Sequence, residues 1–286
     1  MALACGPWLV RLAESESHVG AVGSAFWRLA LASPILLIAS ATAREPMPAR
    51  KRIWIGVALL SGLFFAADLA LWHLGILHTR IANATLLGNI TAILFPAYGF
   101  LFARRMPSRR QSLALLLAAG GAMLMLGRSI ELSPRHAVGD LLCIGAGICY
   151  TLYLVAVDRA RAAMGPISTL TLSVFAGAPV LLVTALLLGD PIAPAAWTPL
   201  ILLAAGSQLV GQGLILFSVG RVAPLVVGVM LLVQPIIAAA IGWLAYGERL
   251  TWPDLAGGIA IAVAVMLVHD AGRALPERAV PLSRDA

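Results

Sequence analysis

Two charged side chains lie inside long apolar stretches of this sequence. Arg28 is embedded in the stretch 19–41, and Asp68 lies near the end of the stretch 53–72. A charge at the centre of a bilayer costs about 2.5–3.5 kcal/mol on insertion scales, so each side chain needs a physical reason to be there. The two could form a structural ion pair. They could instead face a cavity in which Arg28 binds a substrate carboxylate, or the Arg28 side chain could extend to the membrane surface.

Asp68 is also the natural candidate for proton coupling. It is the only carboxylate well inside a predicted span, and intramembrane carboxylates commonly serve as proton relays in transporters. Trp72 and His73 follow it near the end of the same stretch. A lone histidine at such a place is either an interfacial residue with satisfied hydrogen bonds or a group that contacts the substrate.

Aromatic and amide side chains in the same stretches make a second set of candidates. An aromatic side chain could hold a flat or apolar substrate, and it could equally serve ordinary helix packing. Amides in membrane helices often hydrogen-bond to neighbouring helices, so we expect only some of them in a cavity, with Gln212 first among them. The complete set of candidate substrate-binding residues is Trp8, Arg28, Asp68, Trp72, His73, Asn83, Tyr150, Tyr153, Gln208, Gln212 and Gln234.

The sequence predicts neither a metal site nor a cofactor. His73 and His78 are five residues apart and lack the spacing and the glutamate of a zinc-binding helix. The three cysteines lie in apolar runs without a CxxC pair, which is typical of small core residues. No phosphate-binding glycine loop is recognisable, so ATP-driven chemistry is not supported.

The composition is that of an integral membrane protein. Of the 286 residues, 60% are hydrophobic and 12% are charged, whereas soluble domains have about 25% charged residues. The mean hydropathy of +0.94 agrees. The net charge of +7 does not indicate nucleic acid, because the arginines lie in short loops between apolar runs rather than along one polar face. The lipid bilayer is therefore the expected partner.

The apolar runs predict an all-α protein of ten transmembrane helices. About 20 mostly apolar residues cross the hydrocarbon core, and a helix satisfies all of its own backbone groups there. The predicted spans are 1–12, 19–41, 53–72, 83–103, 112–128, 139–157, 167–189, 198–218, 224–245 and 254–269. If the first span starts in the cytoplasm, most of the twenty Lys and Arg residues fall in cytoplasmic segments. This bias predicts a multi-pass protein of the cell (inner) membrane with a cytoplasmic C-terminus.

The two halves of the chain resemble one another at an offset of 144 to 145 residues. Gly20 then aligns with Gly165, and Asp68 aligns with Gln212. An odd number of spans per copy requires the second copy to be inverted, and basic loops of the first half have counterparts in the second that carry almost no positive charge. We therefore predict two inverted five-helix repeats, 1–130 and 137–270, followed by a cytoplasmic tail, 271–286. Inverted repeats are common in secondary transporters, whose substrate sites lie between the repeats.

The first helix and two prolines inside spans lead to two further expectations. Residues 1–12 reach only about 18 Å at 1.5 Å per residue, short of a core of about 30 Å. The repeat alignment therefore predicts that the first helix is truncated, with its natural start before Met1. Pro34 and Pro179 lie inside spans at equivalent repeat positions, so we expect matched kinks or breaks there.

Four short segments resemble the EamA family of the drug/metabolite transporter superfamily. They are 26–28 (FWR), 79–84 (TRIANA), 234–235 (QP) and 246–251 (YGERLT), and they occur in the family's order and in the corresponding helices. The resemblance implies ten helices with both termini inside, and an activity of export or exchange of small metabolites. Substrates of such families include amino acids and drugs.

The predicted function is secondary transport of small organic metabolites by alternating access, as efflux or exchange. We expect a small-molecule substrate, protons as a candidate coupling ion, and either a monomer or a homodimer. Two other classes remain open at this stage. An intramembrane enzyme acting on lipid would need clustered acid, base or nucleophile groups at depth, and a passive channel would need rings of pore-lining groups.

Overall fold

The computed structural model describes residues 6–45, 51–79, 81–127, 135–246 and 251–272. Within these ranges every regular element is a helix and no strand forms, which confirms the all-α prediction for this part of the chain. The side chain of Trp8, most of the segment 246–251 and the tail beyond Gly272 lie outside the described residues. In chain order the helices are α1 (Gly6–Ser17), α2 (Ala21–Thr42), α3 (Lys51–His78), α4 (Ile81–Gly88), α5 (Thr91–Phe102), α6 (Arg109–Gly127), α7 (Ala137–Met164), α8 (Pro166–Leu188), α9 (Thr198–Leu203), the π-helical segment Ala204–Gln212, α10 (Gly213–Ser218), α11 (Pro224–Leu231), α12 (Gln234–Tyr246) and α13 (Trp252–Gly272).

Six helical stretches of the described chain are long and apolar enough to cross a membrane. A span of about 20 apolar residues matches the hydrocarbon thickness, and each of the six meets that length. Two further apolar stretches, Pro224–Ile237 and Trp252–Val268, are shorter. The six are Ala21–Thr42, Arg52–His78, Asn83–Phe102, Ala137–Met164, Pro166–Leu188 and Thr198–Ser218. The protein is therefore a multi-pass membrane protein.

Two of the apolar stretches are interrupted near their middle. One interruption separates α4 from α5 at residues 89–90, and the other separates α11 from α12 at residues 232–233. Pro235 follows the second break, and a proline has no N–H to continue the helical hydrogen bonding. At the first break α7 approaches closely, because a Cβ on Gly147 would lie 2.7 Å from the Gly88 carbonyl oxygen. Thr91 Oγ1 donates to the carbonyl oxygen of Gly147 at 2.6 Å, which ties the break to α7.

The helices do not break at the prolines that the sequence singled out. α2 runs without interruption through Pro34, and α8 runs through Pro179. A proline removes one intrahelical hydrogen bond, and neighbouring helices within a membrane protein can hold the remaining turns in place. The interruptions therefore occur elsewhere, between α4 and α5 and between α11 and α12.

A π-helical segment interrupts the stretch 198–218. Residues Ala204–Gln212 have a wider turn than an α-helix, and Ser207, Gln208 and Gln212 on it are buried. Single-turn π segments inside α-helices are often found at functional sites. This one carries two of the predicted candidate amides.

Helices from the two halves of the chain pack against each other. α2 lies against α8, α3 lies against α7 and α8, α5 lies against α11, and α6 lies against α13. The largest fully buried side chains come from both halves, among them Leu29, Phe65, Tyr153 and Leu181. The core is thus shared, and any cavity within it is lined by both halves.

Candidate functional site

A cavity lies among α1, α2, α3, α4, α7, the π-helical segment and α12. It contains about 780 Å³ of space that no atom fills, its open mouth included. Both intramembrane charges contribute to its wall. The lining residues are Val10, Arg28, Phe65, Asp68, Leu69, Trp72, Thr85, Gly88, Asn89, Tyr150, Ser207, Gln212 and Gln234.

The guanidinium of Arg28 is held from two sides. Its Nε donates to Gln208 Oε1 at 3.1 Å, and its Cζ lies 5.5 Å from the centroid of the Phe65 ring. Such a cation–π contact is favourable when the cation is desolvated, and Arg28 is only 8% exposed. Among the described residues, the two terminal nitrogens have no hydrogen-bond partner. Arg28 therefore presents free donors in a fixed orientation at the cavity wall.

Asp68 lines the same cavity but does not pair directly with Arg28. The carboxylate is half-buried, and among the described residues neither an ion pair nor a hydrogen bond engages it. Of the three arrangements considered for the two charges, the direct ion pair is therefore not formed, and Arg28 is buried rather than extended to the surface. Both charges face one cavity, where a ligand could contact each of them.

Three stacked aromatic rings support the cavity wall beside Arg28. Phe65 stacks on Tyr153 at 4.7 Å between centroids, and Tyr153 stacks on Tyr150 at 5.6 Å. Tyr150 and Phe65 line the cavity, whereas Tyr153 is fully buried behind them and its hydroxyl has no hydrogen-bond partner among the described residues. The stack therefore fixes the two rings that a substrate could touch.

The candidate amides divide between the cavity and the helix packing behind it. Gln212 lines the cavity, its Nε2 donates to the Tyr150 hydroxyl at 3.4 Å, and its buried Oε1 has no partner among the described residues. Gln208 lies behind the lining and accepts the Arg28 hydrogen bond. Asn83 lies away from the cavity, where its Nδ2 donates to Asp140 Oδ1 at 3.0 Å.

Trp72 and His73 point in different directions from α3. Trp72 lines the cavity beside Gly88, where a Cβ would lie 3.2 Å from Trp72 Cδ1. His73 is buried outside the lining, and its Nδ1 donates to the Leu69 carbonyl oxygen at 2.6 Å. His73 therefore lies in the helix packing rather than on the cavity wall, and its buried Nε2 has no hydrogen-bond partner among the described residues.

The structure thus brings six of the predicted residues to one cavity. They are Arg28, Asp68, Trp72, Tyr150, Gln212 and Gln234. His73, Asn83, Tyr153 and Gln208 lie outside the lining, and the side chain of Trp8 is outside the described residues.

Sequence reasoning missed several lining residues that helical spacing could have found. Phe65 lies three residues before Asp68, and Leu69 lies three residues before the predicted Trp72, so all four share a face of α3. Thr85 and Asn89 have the same relation on the next apolar stretch. Phe65 and Leu69 carry no polar group, so only their position relative to Asp68 and Trp72 marks them.

The sequence of this chain matches a family of membrane transporters. A sequence model of the EamA-like transporter family matches residues 4–127 and again residues 137–269, together most of the chain. The chain belongs to the EamA-like transporter family. This confirms the resemblance found in the sequence motifs, and it makes the protein a transporter rather than an enzyme.

Individual relatives of this EamA-like protein agree with that assignment. The threonine/homoserine exporter RhtA of Salmonella typhimurium, from strains SL1344 and LT2, is 27% identical over 251 residues, which cover 87% of this chain and 81% of RhtA. One solved crystal structure is similar in fold, with a TM-score of 0.75 at 14% sequence identity. The similarity covers 95% of this chain and 98% of that one.

Proposed function

We propose that this EamA-like protein is a secondary transporter that exports or exchanges small organic metabolites by alternating access. The observation that carries the proposal is the placement of Arg28 and Asp68. Both charges line one cavity among membrane helices, they do not neutralise each other directly, and groups on the wall hold the guanidinium in place. Buried charges with unused hydrogen-bonding capacity are costly unless a ligand engages them.

We further propose that the chain forms ten membrane helices as two inverted repeats, 1–130 and 137–270, with a cytoplasmic tail, 271–286. The double match of the family model supports this. So do the helix interruptions after Gly88 and before Pro235, because the two breaks fall within two residues of equivalent repeat positions. The interleaved contacts of α2 with α8, α5 with α11 and α6 with α13 are those expected around a pseudo-two-fold axis.

The proposed substrates are amino acids or closely related zwitterions. Arg28 would bind the carboxylate through its free terminal nitrogens, since guanidinium groups match carboxylates in geometry and charge. Asp68 would bind the ammonium group, and the unpartnered Gln212 Oε1 offers a second acceptor. The name of RhtA, a threonine/homoserine exporter, supports this substrate class at 27% identity.

The remaining features of the proposal concern energy supply and topology. Asp68 is the proposed proton-coupling group, because it is an accessible intramembrane carboxylate on the cavity wall. The positive-inside bias supports insertion in the inner membrane with a cytoplasmic C-terminus. Transport by a monomer and transport by a homodimer are both compatible with a cavity formed within one chain.

Transport in vesicles tests the proposal. Inside-out membrane vesicles containing the protein are expected to accumulate radiolabelled L-threonine or L-homoserine when a proton gradient is imposed, and Arg28→Ala is expected to abolish accumulation. Arg105→Ala is the matched control, because Arg105 is exposed outside the cavity. If vesicles with the wild-type protein do not differ from vesicles without it, the proposed substrate class is wrong.

A further inference from the structure

Helices α2 and α8 are joined at both ends by carboxylates from the segments that follow them. Asp190, just after α8, accepts hydrogen bonds at Oδ2 from the backbone N–H groups of Val22 (2.9 Å) and Gly23 (3.2 Å) at the start of α2. At the opposite end, Glu45 follows α2 and accepts from the backbone N–H groups at the start of α8. These bonds run from residue 167 to Oε1 at 2.9 Å and from residue 168 to Oε2 at 2.7 Å. We call these contacts the Asp190 clasp and the Glu45 clasp.

The two clasps are built from equivalent positions of the two halves. Asp190 is 145 residues after Glu45, and the two donors at the start of α8, Ile167 and Ser168, are 145 residues after Val22 and Gly23. Each half therefore caps the helix of the other half with the same arrangement of groups.

A glycine makes room for the carboxylate in each clasp. A Cβ on Gly20 would run into the Asp190 carboxyl group, and a Cβ on Gly165 would run into that of Glu45. Gly20 and Gly165 are the N-cap residues of α2 and α8, and they too are 145 residues apart. The clasps thus match in their donors and steric clearance and in having a carboxylate as acceptor, although Asp190 accepts through one oxygen and Glu45 through two.

A carboxylate at a helix N-terminus is a favourable partner for physical reasons. The first N–H groups of a helix have no intrahelical acceptor, and the helix dipole places partial positive charge there. Hydrogen bonds to a carboxylate are shorter and stronger than those between neutral groups. Further contacts reinforce the pair, since Gly20 N donates to Pro191 O at 2.9 Å and Thr171 Oγ1 on α8 donates to Leu36 O on α2 at 3.1 Å.

We infer that Glu45 and Asp190 are positioning residues that keep α2 and α8 together as one unit throughout the transport cycle. The inference rests on the proposed alternating access. In alternating access by inverted repeats, each repeat adopts the conformation that the other had before. Because α2 and α8 are equivalent helices of the two repeats, this exchange leaves their contact unchanged and turns each clasp into the other. Both clasps can therefore exist in the inward-open and in the outward-open state. The contact of α3 with α7 differs, because the equivalent pair in the other repeat is α9 with α1. The exchange of conformations can therefore change the α3–α7 contact.

The consequence for the cavity concerns Arg28. It lies on α2, five residues after Gly23, the second N–H donor to Asp190, and it contacts Gln208 of the second half. A paired α2–α8 unit would hold the Arg28 guanidinium in one position while other helices open and close access to the cavity. The competing possibility is that the clasps are gates, one of which must open in each half of the cycle.

A disulfide in place of the Asp190 clasp separates these two possibilities. A Cβ on Gly20 would lie 2.7 Å from Asp190 Cβ, and a disulfide needs about 3.5–4.5 Å, so the pair Gly20→Cys/Asp190→Cys can form after a shift of about 1 Å. The protein would also carry Ser207→Cys as a probe of the cavity, with Cys5, Cys143 and Cys149 replaced by alanine. A membrane-impermeant maleimide is then applied to right-side-out and to inside-out vesicles. The matched control carries Ser207→Cys in the same background with Gly20 and Asp190 intact.

The inference predicts that the oxidised protein is labelled at position 207 from both sides, at rates within twofold of the control. Loss of labelling from one side on oxidation, restored by reduction, would overturn it and make the Asp190 clasp a gate. If the control itself is labelled from only one side, alternating access is wrong and the inference falls with it. These two failures are distinguishable, and neither depends on knowing the substrate.

Single substitutions provide a second test that needs no cross-link. Asp190→Ala and Glu45→Ala each remove a helix cap whose typical strength shifts the equilibrium between paired and separated helices about fivefold. Labelling of folded protein should therefore slow by up to about fivefold, because access requires the paired unit. Asp190→Asn keeps an acceptor oxygen and should lie between the alanine variant and the control. Unchanged labelling rates in both alanine variants would contradict a positioning role.

Discussion

The two halves of the chain contribute different chemistry to one cavity. The first half supplies both charges, Arg28 and Asp68, whereas the second half supplies Tyr150, Ser207, Gln212 and Gln234, which are polar but uncharged. The contrast is clearest at Asp68 and Gln212, which occupy equivalent positions of the two halves. The first half is therefore suited to bind the charged groups of a substrate. The second half is suited to orient the side chains of Arg28 and Asp68 and the substrate bound to them.

The physical basis of this difference is the cost of charge within the membrane. A second charged pair would add to that cost, while an amide can donate or accept a hydrogen bond without a net charge. Gln208 illustrates the supporting role, since it lies behind the lining and fixes Arg28 through Nε. The comparison predicts that substitutions of the charged residues of the first half reduce transport strongly. Substitutions of the neutral residues of the second half should reduce it only slightly.

Arg28→Ala is expected to have the largest effect. Leaving a substrate carboxylate without its buried partner costs about 2–5 kcal/mol, which corresponds to at least a thirtyfold loss of apparent affinity. Arg28→Lys keeps the charge but not the planar donor geometry, so it should recover only part of the loss. Initial rates of L-threonine uptake into proteoliposomes, measured over a range of concentrations, give both values. Equal KM values for the wild type and the alanine variant would show that Arg28 does not bind the substrate.

Asp68→Asn should abolish the response to a proton gradient, because an amide cannot bind and release the proton. Accumulation in inside-out vesicles is expected to fall about tenfold, the response to a gradient of roughly one pH unit. Exchange of internal for external substrate requires no net proton movement, so it should persist at substrate concentrations high enough to offset the lost contact with the ammonium group. Proton-driven accumulation that equals that of the wild type would contradict this role of Asp68.

Gln208→Ala tests whether the second half acts through Arg28. Removing one hydrogen bond to a buried group costs about 1 kcal/mol, so KM should rise about fivefold with little change in kcat. Gln208→Glu keeps an acceptor for Arg28 Nε but places a carboxylate beside the guanidinium, so it should compete with the substrate carboxylate and raise KM at least as much as the alanine variant does. A change in kcat alone would indicate that Gln208 contributes to helix packing instead.

Tyr150→Phe should have the smallest effect. The Gln212–Tyr150 hydrogen bond is long, at 3.4 Å, and the phenyl ring retains the stack with Tyr153. We expect a change in KM of no more than about twofold, the factor for a weak hydrogen bond of a few tenths of a kcal/mol. An effect as large as that of Arg28→Ala would show that the second half contributes as much to substrate binding as the charges do, which would contradict the proposed difference between the halves.

Much of this arrangement was predictable from the sequence. Long apolar runs require helices, and a charged residue within such a run requires a cavity or a partner. Those two rules predicted the helical class and singled out Arg28 and Asp68, which the structure places on one cavity. The motifs predicted the family, which the family model confirms.

Other features depend on contacts that a single sequence does not reveal. Asn83 is an intramembrane amide like Gln212, but it bonds to Asp140 on another helix. Phe65 carries no polar group, yet it holds Arg28 through its ring. A kink or a break was expected at Pro34, and α2 continues through it without a break, whereas the chain is interrupted between α4 and α5, beside Gly147 of α7. For Asn83, Phe65 and the break beside Gly147, the partner is distant in sequence.

Counterflow in proteoliposomes tests the central claim most directly. Proteoliposomes loaded with excess unlabelled L-threonine are placed in a trace of labelled L-threonine, and internal label is followed over time. A carrier with one substrate site of alternating access gives a transient overshoot of internal label, and Arg28→Ala should abolish it while Arg105→Ala should not. Simple equilibration without an overshoot, as a passive channel would give, would contradict the account.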